Sequence, residues 1–225
     1  MPSTLHMDAP LPSPHDIETE HSGPAARPER PGTARILLFA FLGEGALMLA
    51  GLLWVLGRDL PFTWSDASRV SLAGATAIGL LTAAALAAIQ FVLRIVPERG
   101  PVRALRRLYR ELLYPLFRAS TPIEIVVISV LAGVGEEVLF RGAMQPELGL
   151  IITSLVFGLF HVGGRLTVAL GIWAACTGAL LGWLAIATGG LLAPIVAHIA
   201  YDALALSYLR WGPAPPDASD AGNAG

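Results

Sequence analysis

Six polar side chains stand inside apolar stretches in the second half of the chain. They are three acids, one guanidinium and two imidazoles: Glu136, Glu137, Arg141, His161, His198 and Asp202. A charge at the centre of a membrane helix costs about 2.5–3.5 kcal/mol on insertion scales. Residues kept at such a cost often line a catalytic or ion-conducting site. Together, these types could activate a water molecule and stabilise an oxyanion.

The spacing of the first three residues gives them different predicted roles. Glu137 and Arg141 are four residues apart with the acid first, which is the favourable order for an ion pair on one helix. Pairing lowers the cost of burying both charges. Glu136 is turned about 100° from Glu137 on a helix, so it does not easily share this arginine. We therefore predict that Glu136 is the freer carboxylate and can act as a general base.

The two imidazoles have neighbours one helical turn away. Phe157 precedes His161 by four residues, so its ring can wall one side of the imidazole. Asp202 follows His198 at the same spacing and could accept its N–H and fix its tautomer. Glu136, His161 and His198 could also ligate Zn²⁺. The chain lacks an H-E-x-x-H pair, so a zinc-dependent and a metal-independent glutamate mechanism both remain open.

The elements that must position these residues are apolar helices. Hydrophobic residues make up 54% of the chain and charged residues only 14%, against about 25% in soluble domains. Spanning a bilayer takes about 20 helical residues. The apolar runs are 35–57, 70–96, 122–145, 148–162, 166–188 and 191–209. They predict an all-α, polytopic transmembrane bundle of about six membrane helices, in which 148–162 is short for a full span.

Charge outside these runs predicts the topology. Seven arginines and regularly spaced leucines in 94–118 indicate an amphipathic helix at an anionic membrane surface, with a soluble connecting helix as the alternative. With the N-terminus in the cytoplasm, twelve arginines fall on the cytoplasmic side and two outside, so both termini are predicted to be cytoplasmic. Residues 1–33 and 212–225 are predicted to be disordered tails, and no apolar run after Met1 indicates a signal peptide. The lone Cys176 is predicted to be a buried, inert thiol.

Three short motifs carry a family resemblance. The strings EEVLFRG at 136–142, FGLFH at 157–161 and HIAYD at 198–202 follow one another in separate apolar runs. In this order they resemble the motifs E-E-x-x-x-R, F-x-x-x-H and H-x-x-x-N of the CAAX-processing and bacteriocin-processing (CPBP, or Abi) family of intramembrane proteases. The apolar runs predict a membrane-embedded domain at 34–211, and the resemblance covers about 121–209, the predicted protease core.

The resemblance also implies roles for the site residues. Glu136 and His161 correspond to the residues that activate water, and His198 and Asp202 to those that bind the oxyanion or orient the substrate. The Glu–Arg pair of the first motif corresponds to a supporting pair. Asp202 departs from the family's Asn, and an ionised Asp cannot donate a hydrogen bond to an oxyanion. It would have to be protonated, or act by orienting His198.

The resulting hypothesis is an intramembrane endopeptidase, similar to a CAAX prenyl protease, in a bacterial inner membrane. Its predicted partners are membrane lipid and a peptide or protein substrate, lipid-modified in the case of eukaryotic relatives. The net charge of −2 implies no nucleic-acid partner. The alternatives are a proton- or ion-coupled transporter that uses the same polar groups as a relay, and a non-catalytic membrane scaffold of the same fold.

Two features leave the geometry open. His161 precedes Arg165 by four residues, about 6 Å of helix, whereas Glu136 lies about 21 Å from the start of its own run. For one site to form, the fourth run must be tilted, extended past Gly163 or broken. Glu44, between two glycines in the first run, could line the same cavity or hydrogen-bond between closely packed helices.

Overall fold

The computed structural model describes residues 33–215, and every regular element in this part of the chain is helical. The helices are α1 (Thr33–Gly57), α2 (Leu72–Ile95), α3 (Gly100–Leu108), α4 (Tyr114–Phe117), α5 (Pro122–Glu137), α6 (Gln145–Phe160), α7 (Val168–Thr188) and α8 (Leu192–Trp211). The π-helical segments Tyr109–Leu113 and Val138–Met144 join α3 to α4 and α5 to α6. The all-α fold class is confirmed. The predicted disordered tails lie almost entirely outside the described residues.

Local sequence signals explain where the helices begin and end. Thr121 caps α5: its hydroxyl accepts from the Glu124 backbone N–H, and the Glu124 carboxylate accepts from the Thr121 N–H at 2.6 Å. Pro122 occupies the first turn, where its missing N–H leaves no bond unmade. A glycine marks the end of α7: Gly189, directly after this helix, has a φ of 71°, a left-handed conformation that favours glycine.

The helix lengths and surfaces fit a lipid environment. Within residues 33–215, three helices are long and apolar enough to cross a membrane, namely Leu72–Ile95, Arg165–Thr188 and Leu192–Trp211. The apolar stretch Phe41–Gly57 is shorter. Large apolar side chains cover the outer faces; Leu53, for example, is 61% exposed. Several apolar helices are therefore present, whereas the number of about six spans stays a prediction, because α6 has only 16 residues.

Small residues let the helices that carry the motifs approach one another closely. Helix α8 packs against α2 and α5, and α6 packs against α7. A Cβ at Gly133 on α5 would lie 2.9 Å from the backbone nitrogen of Ile199 on α8. A Cβ at Gly158 on α6 would lie 2.5 Å from the carbonyl oxygen of Gly171 on α7. Glycine at these positions therefore permits the backbone contacts that bring α5, α6, α7 and α8 around one site.

Hydrogen bonds between helix ends agree with helices that alternate in direction. At one end, Arg58 after α1 donates to Glu147 at the start of α6, with an N–O distance of 2.7 Å. At the other end, Arg210 near the end of α8 donates to the carbonyl of Ser120 before α5 at 3.0 Å. These pairings are the ones that successive up-and-down passes require. Which end faces the cytoplasm stays a prediction.

Three local features differ from a simple reading of the sequence. The amphipathic stretch is not one regular helix, because the π-helical segment Tyr109–Leu113 interrupts it, and Arg94 belongs to α2. Helix α6 is kinked at Gly149, whose φ of 78° is non-helical; this kink lies at the start of the fourth apolar run, and the helix is continuous from there to Phe160. The prediction of a buried Cys176 is wrong: this thiol is exposed on the outer face of α7, where a small apolar thiol suits a lipid-facing surface.

Candidate active site

The predicted ion pair lies in the most buried part of the bundle. Arg141 Nη1 donates a hydrogen bond to Glu137 Oε1 at 2.8 Å. The side chain of Arg141 is 1% exposed and that of Glu137 is 0% exposed. The Arg141 Nη2 group donates to the carbonyl of Gly178 on α7 at 3.0 Å. The guanidinium also lies 4.4 Å from the centre of the Phe157 ring, a cation–π contact. The Glu137–Arg141 pair is therefore confirmed as a contact, and it ties α5 to α6 and α7.

A change of helical winding accompanies the first motif. The chain leaves the α-helical pattern directly after Glu137 and continues as the π-helical segment Val138–Met144, of which every residue is buried. Such π-helical turns are rare and often occur at functional sites, since the extra residue redirects the side chains that follow. Here the segment carries Arg141 and packs Phe140 edge-on against Phe157, with ring centres 4.9 Å apart.

The orientation of His198 depends on a residue of another helix. Its Nδ1 lies 2.8 Å from Glu137 Oε1, whereas its Nε2 lies 3.6 Å from Asp202 Oδ2. The second distance exceeds a hydrogen bond. The prediction that Asp202 accepts the imidazole N–H is therefore wrong, and Glu137 holds the ring instead. The spacing of four residues reveals only neighbours on one helix, while the actual partner reaches across from α5.

The position of His161 follows from the end of α6. His161 caps this helix, where the last carbonyls have no partner within the helix. Its Nδ1 lies 2.8 Å from the carbonyl oxygen of Phe157, and the ring of Phe157 lies 4.9 Å from the imidazole, as predicted. Because a carbonyl only accepts, Nδ1 is the donor and the Nε2 of a neutral ring is an acceptor.

The two imidazoles converge on Glu136. His161 Nε2 lies 3.9 Å from Glu136 Oε1, and His198 Nε2 lies 3.6 Å from Glu136 Oε2. Oε2 is buried and has no hydrogen-bond partner among the described residues. Both separations are too long for direct hydrogen bonds. The geometry thus brings Glu136, His161 and His198 together, with Glu136 outside the arginine pair.

Two further acids complete the surroundings. Asp202 is as close to His198 Nε2 as Glu136 is, at 3.6 Å, so this nitrogen lies between two carboxylates. Glu44 of α1 is within electrostatic range of Glu136 and His198, and its Oε2 is buried without a partner among the described residues. A Cβ at Gly135 would lie 2.7 Å from the Glu44 carbonyl oxygen. Glu44 therefore sits beside the site and at a close helix contact at once.

Sequence reasoning missed an aromatic pair in the cavity that leads to the site. A cavity of about 520 Å³ is lined by His161, His198 and Asp202, and also by Trp173 and Tyr201. Trp173 Nε1 donates to the Tyr201 hydroxyl at 2.9 Å. Tyr201 stands within the third motif, directly before its last residue. A tyrosine in an apolar run was the available signal, because buried hydroxyls need hydrogen-bond partners.

The metal question can be set against the donor geometry. The carboxylate and two imidazoles of Glu136, His161 and His198 are chemically suited to Zn²⁺. However, their 3.6–3.9 Å separations exceed the roughly 3.4 Å expected between neighbouring ligands at about 2.1 Å from a tetrahedral zinc. Over residues 33–215, no group of three or more His, Cys, Asp or Glu side chains is placed to hold a metal ion. As positioned, these residues do not form a ready-made zinc site.

Comparisons with known proteins agree with the motif region. Residues 118–204 match the family model of type II CAAX prenyl endopeptidase Rce1-like proteins, and all three motifs fall within this range. The uncharacterized protein YpbD of Bacillus subtilis (strain 168) is 32% identical over 96 residues, which cover 43% of this chain and 51% of YpbD. The match thus spans about half of that relative, and no solved structure matches. Over residues 118–204, the family match confirms the resemblance to the CPBP family of CAAX-protease-type membrane peptidases.

Proposed function

We propose that this protein is an intramembrane endopeptidase that hydrolyses a peptide bond of a membrane-associated substrate with a water activated by Glu136 and His161. The observation that carries the proposal is the convergence of two imidazole Nε2 atoms on one buried carboxylate, at 3.9 and 3.6 Å. A water between Glu136 and His161 would be held by two groups that both accept its protons. The Rce1-like match over residues 118–204 supports the same class of chemistry.

The first step is the attack of water on the substrate carbonyl. The Nδ1–H of His161 donates a hydrogen bond to the Phe157 carbonyl. The Nε2 lone pair can therefore accept a hydrogen bond from the water and orient it. Glu136 takes one proton from the water as the oxygen bonds to the carbonyl carbon. The carbonyl electrons move onto oxygen and form a tetrahedral oxyanion. Glu136 is suited to this step because Arg141 donates to Glu137, which leaves the Glu136 carboxylate outside that ion pair and able to accept a proton.

The second step is the collapse of that intermediate. When doubly protonated, His198 donates from Nδ1 to Glu137 and has an Nε2–H left for the oxyanion. Asp202, 3.6 Å from this Nε2, can donate a second hydrogen bond to the oxyanion when it is protonated. The carbon–nitrogen bond breaks and Glu136 returns its proton to the leaving amine. The products are a carboxylic acid and an amine, so all atoms balance.

The setting of the reaction is part of the proposal. The site lies among apolar helices, so the substrate is a peptide or protein that reaches the bilayer by its own apolar segment or by a lipid modification. We place the protein in a bacterial inner membrane with both termini in the cytoplasm, because twelve of fifteen arginines then lie on the cytoplasmic side. Membrane lipid and the substrate are the partners this proposal requires.

The decisive experiment compares peptidase activity of purified wild-type protein with Glu136→Gln, which preserves the size of the side chain. Removing the general base is expected to lower kcat by about 10²–10⁴-fold. Glu111→Gln, which alters an exposed acid paired with Arg107 at the surface, is the matched control and is expected to keep full activity. Normal cleavage by Glu136→Gln would overturn the proposal.

Two additional measurements separate the alternatives. Proton or ion flux into liposomes, lost in Glu136→Gln and without proteolysis, would instead identify a transporter. Biological activity that survives both His161→Ala and His198→Ala would identify a non-catalytic scaffold.

Metal analysis of active protein, with and without chelator, tests whether Glu136, His161 and His198 bind Zn²⁺; activity in metal-free protein would favour the glutamate mechanism.

A further inference from the structure

Two aromatic side chains line the cavity beside the site and have no part in the proposed mechanism. Trp173 of α7 and Tyr201 of α8 border the same space as His161, His198 and Asp202. Tyr201 lies inside the third motif, directly before Asp202, whereas Trp173 belongs to none of the three motifs. The pair therefore borders the space that a peptide must enter to reach the site.

The direction of the hydrogen bond between them leaves one proton unused. Trp173 Nε1 lies 2.9 Å from the hydroxyl oxygen of Tyr201. An indole N–H can only donate, so the hydroxyl accepts in this bond and its own hydrogen points elsewhere. Within the described part of the chain, the hydroxyl makes no second hydrogen bond. Because the hydroxyl of a largely enclosed tyrosine normally finds a partner, this donor is available to an acceptor in the cavity.

The charges near the hydroxyl favour a neutral acceptor over an ion. Asp202 and Arg94 both lie within electrostatic range of Tyr201, and their charges have opposite signs when both are ionised. Their effects on a ligand at the hydroxyl therefore oppose each other. A backbone carbonyl is a neutral acceptor, and every peptide substrate carries one at each residue.

The position of Tyr201 on α8 suits a carbonyl close to the cleaved bond. Tyr201 follows His198 by three residues, which is a rise of about 4.5 Å along the helix. An extended peptide advances about 3.3–3.6 Å per residue. A peptide whose cleaved carbonyl lies at His198 therefore brings another backbone carbonyl, one or two residues away, alongside Tyr201.

We infer that the Tyr201 hydroxyl, held in place by Trp173, donates a hydrogen bond to this backbone carbonyl of the substrate. The inference rests on the proposed peptidase function. In this role Tyr201 takes no part in bond cleavage; it binds the peptide and holds the scissile bond near Glu136. Such a contact exists in both the bound substrate and the transition state, so its loss raises KM more than it lowers kcat.

The test combines two protein variants with thioamide peptides in liposomes. Each peptide has the same cleavage site and carries one C=S, a weaker acceptor, in place of a C=O within two residues of the cleaved bond. For wild-type protein, one of these positions should lower kcat/KM by about 3–10-fold, mainly through KM. Tyr201→Phe, which removes only the hydroxyl, should lower kcat/KM of the all-amide peptide by a similar factor and should be insensitive to that sulfur.

Two further variants complete the design. Trp173→Phe keeps the tyrosine hydroxyl but removes the donor that fixes it, so both its loss of kcat/KM and its sensitivity to the sulfur should be intermediate. The matched control is Tyr114→Phe, because Tyr114 packs in a different place, against the apolar cluster that includes Ile125 and Leu206. This control should behave like wild-type protein with every peptide.

The outcomes separate the possible failures. If no thioamide position affects wild-type protein, or if Tyr201→Phe keeps the sensitivity of wild-type protein, the inference is overturned. Equal losses of activity and unfolding temperature in Tyr201→Phe and Trp173→Phe, with the sulfur sensitivity unchanged, would show that the pair only ties α7 to α8. If wild-type protein cleaves none of the peptides, the proposed function fails by itself. Binding of the same peptides to Glu136→Gln, with and without Tyr201→Phe, then still tests the carbonyl contact.

Discussion

Two arginines of the bundle, Arg141 beside the site and Arg94 where α2 meets α8, are neutralised in different ways. Arg141 donates to a carboxylate and a carbonyl and has a 1% exposed side chain. Arg94 lies over two tyrosine rings, and its Nη1 has no hydrogen-bond partner among the described residues. A cation whose partners come from its own fold serves mainly to hold helices together. A cation with a donor left over is available to a ligand.

The same contrast separates the two adjacent glutamates. Glu137 serves both Arg141 and His198 through one oxygen, with distances of 2.8 Å to each. Among the described residues, Glu136 has no contact as short with a charged group; it lies 3.6 and 3.9 Å from imidazole nitrogens. One carboxylate is fixed by two hydrogen bonds and the other is not. Both face His198 of α8, so the difference comes from Arg141, which donates to Glu137.

The largest expected effect comes from breaking the buried Glu137–Arg141 pair. Glu137→Ala leaves Arg141 as an uncompensated buried charge, which should lower the free energy of unfolding by about 3–5 kcal/mol. Thermal unfolding in detergent measures the loss. The double variant Glu137→Leu with Arg141→Leu should recover most of the stability but no activity, since His198 then has no partner. Stability equal to wild type in the single variant would contradict a structural role for the pair.

Next in size is the loss of an imidazole. His161→Gln and His198→Gln should each lower kcat by about 10²–10³-fold, because one removes the group that orients water and the other removes an oxyanion donor. Steady-state kinetics measures this. The unfolding temperature should change more for His198→Gln than for His161→Gln, because only His198 bonds a buried side chain on another helix. A larger change of unfolding temperature for His161→Gln than for His198→Gln would contradict the contacts described for these two histidines.

A smaller effect probes the close packing around Arg141. A Cβ at Gly178 would lie 2.9 Å from Phe157 Cδ1 and 3.2 Å from Arg141 Nη2. Gly178→Ala should therefore destabilise the protein by about 1–3 kcal/mol through overpacking and should lower activity. The control is Gly43→Ala, where no atom lies within 4 Å of the added group. It should be neutral or slightly stabilising. Equal effects at the two positions would contradict the packing.

The smallest effect concerns Glu98, between α2 and α3. Its carboxylate accepts hydrogen bonds from Arg106 and Arg110. Burial acts to raise the pKa of Glu98, but the hydrogen bonds from Arg110 and Arg106 outweigh it and lower the pKa below its ordinary value of 4.5. A lowered pKa contributes stability that is present above about pH 4.5 and is lost as the pH falls through the lowered value.

The pH dependence can be measured against Glu98→Gln, which cannot ionise. The unfolding temperature of wild-type protein should exceed that of the variant slightly at pH 6–7, and the difference should shrink in acid. A difference that grows as the pH falls would have the wrong sign for this contact.

Much of the architecture follows from sequence alone. The apolar runs predicted at 70–96, 166–188 and 191–209 coincide closely with α2, α7 and α8. Capping residues and glycines mark the helix ends, because backbone groups at those ends must find partners or adopt left-handed conformations. The Glu137–Arg141 pair could also be predicted, since residues four apart on a helix necessarily share a face.

Only the tertiary structure decided which groups meet across helices. Helical spacing pointed His198 to Asp202, but packing of α8 on α5 gave it to Glu137 instead. His161 at the end of α6 lies near Glu136 of α5, and Arg94 of α2 packs on Tyr208 of α8, more than a hundred residues further along the chain. Sequence determines contacts within one helix because the backbone fixes their geometry. Contacts between helices depend on how side chains of many residues pack, and that is settled only in the folded bundle.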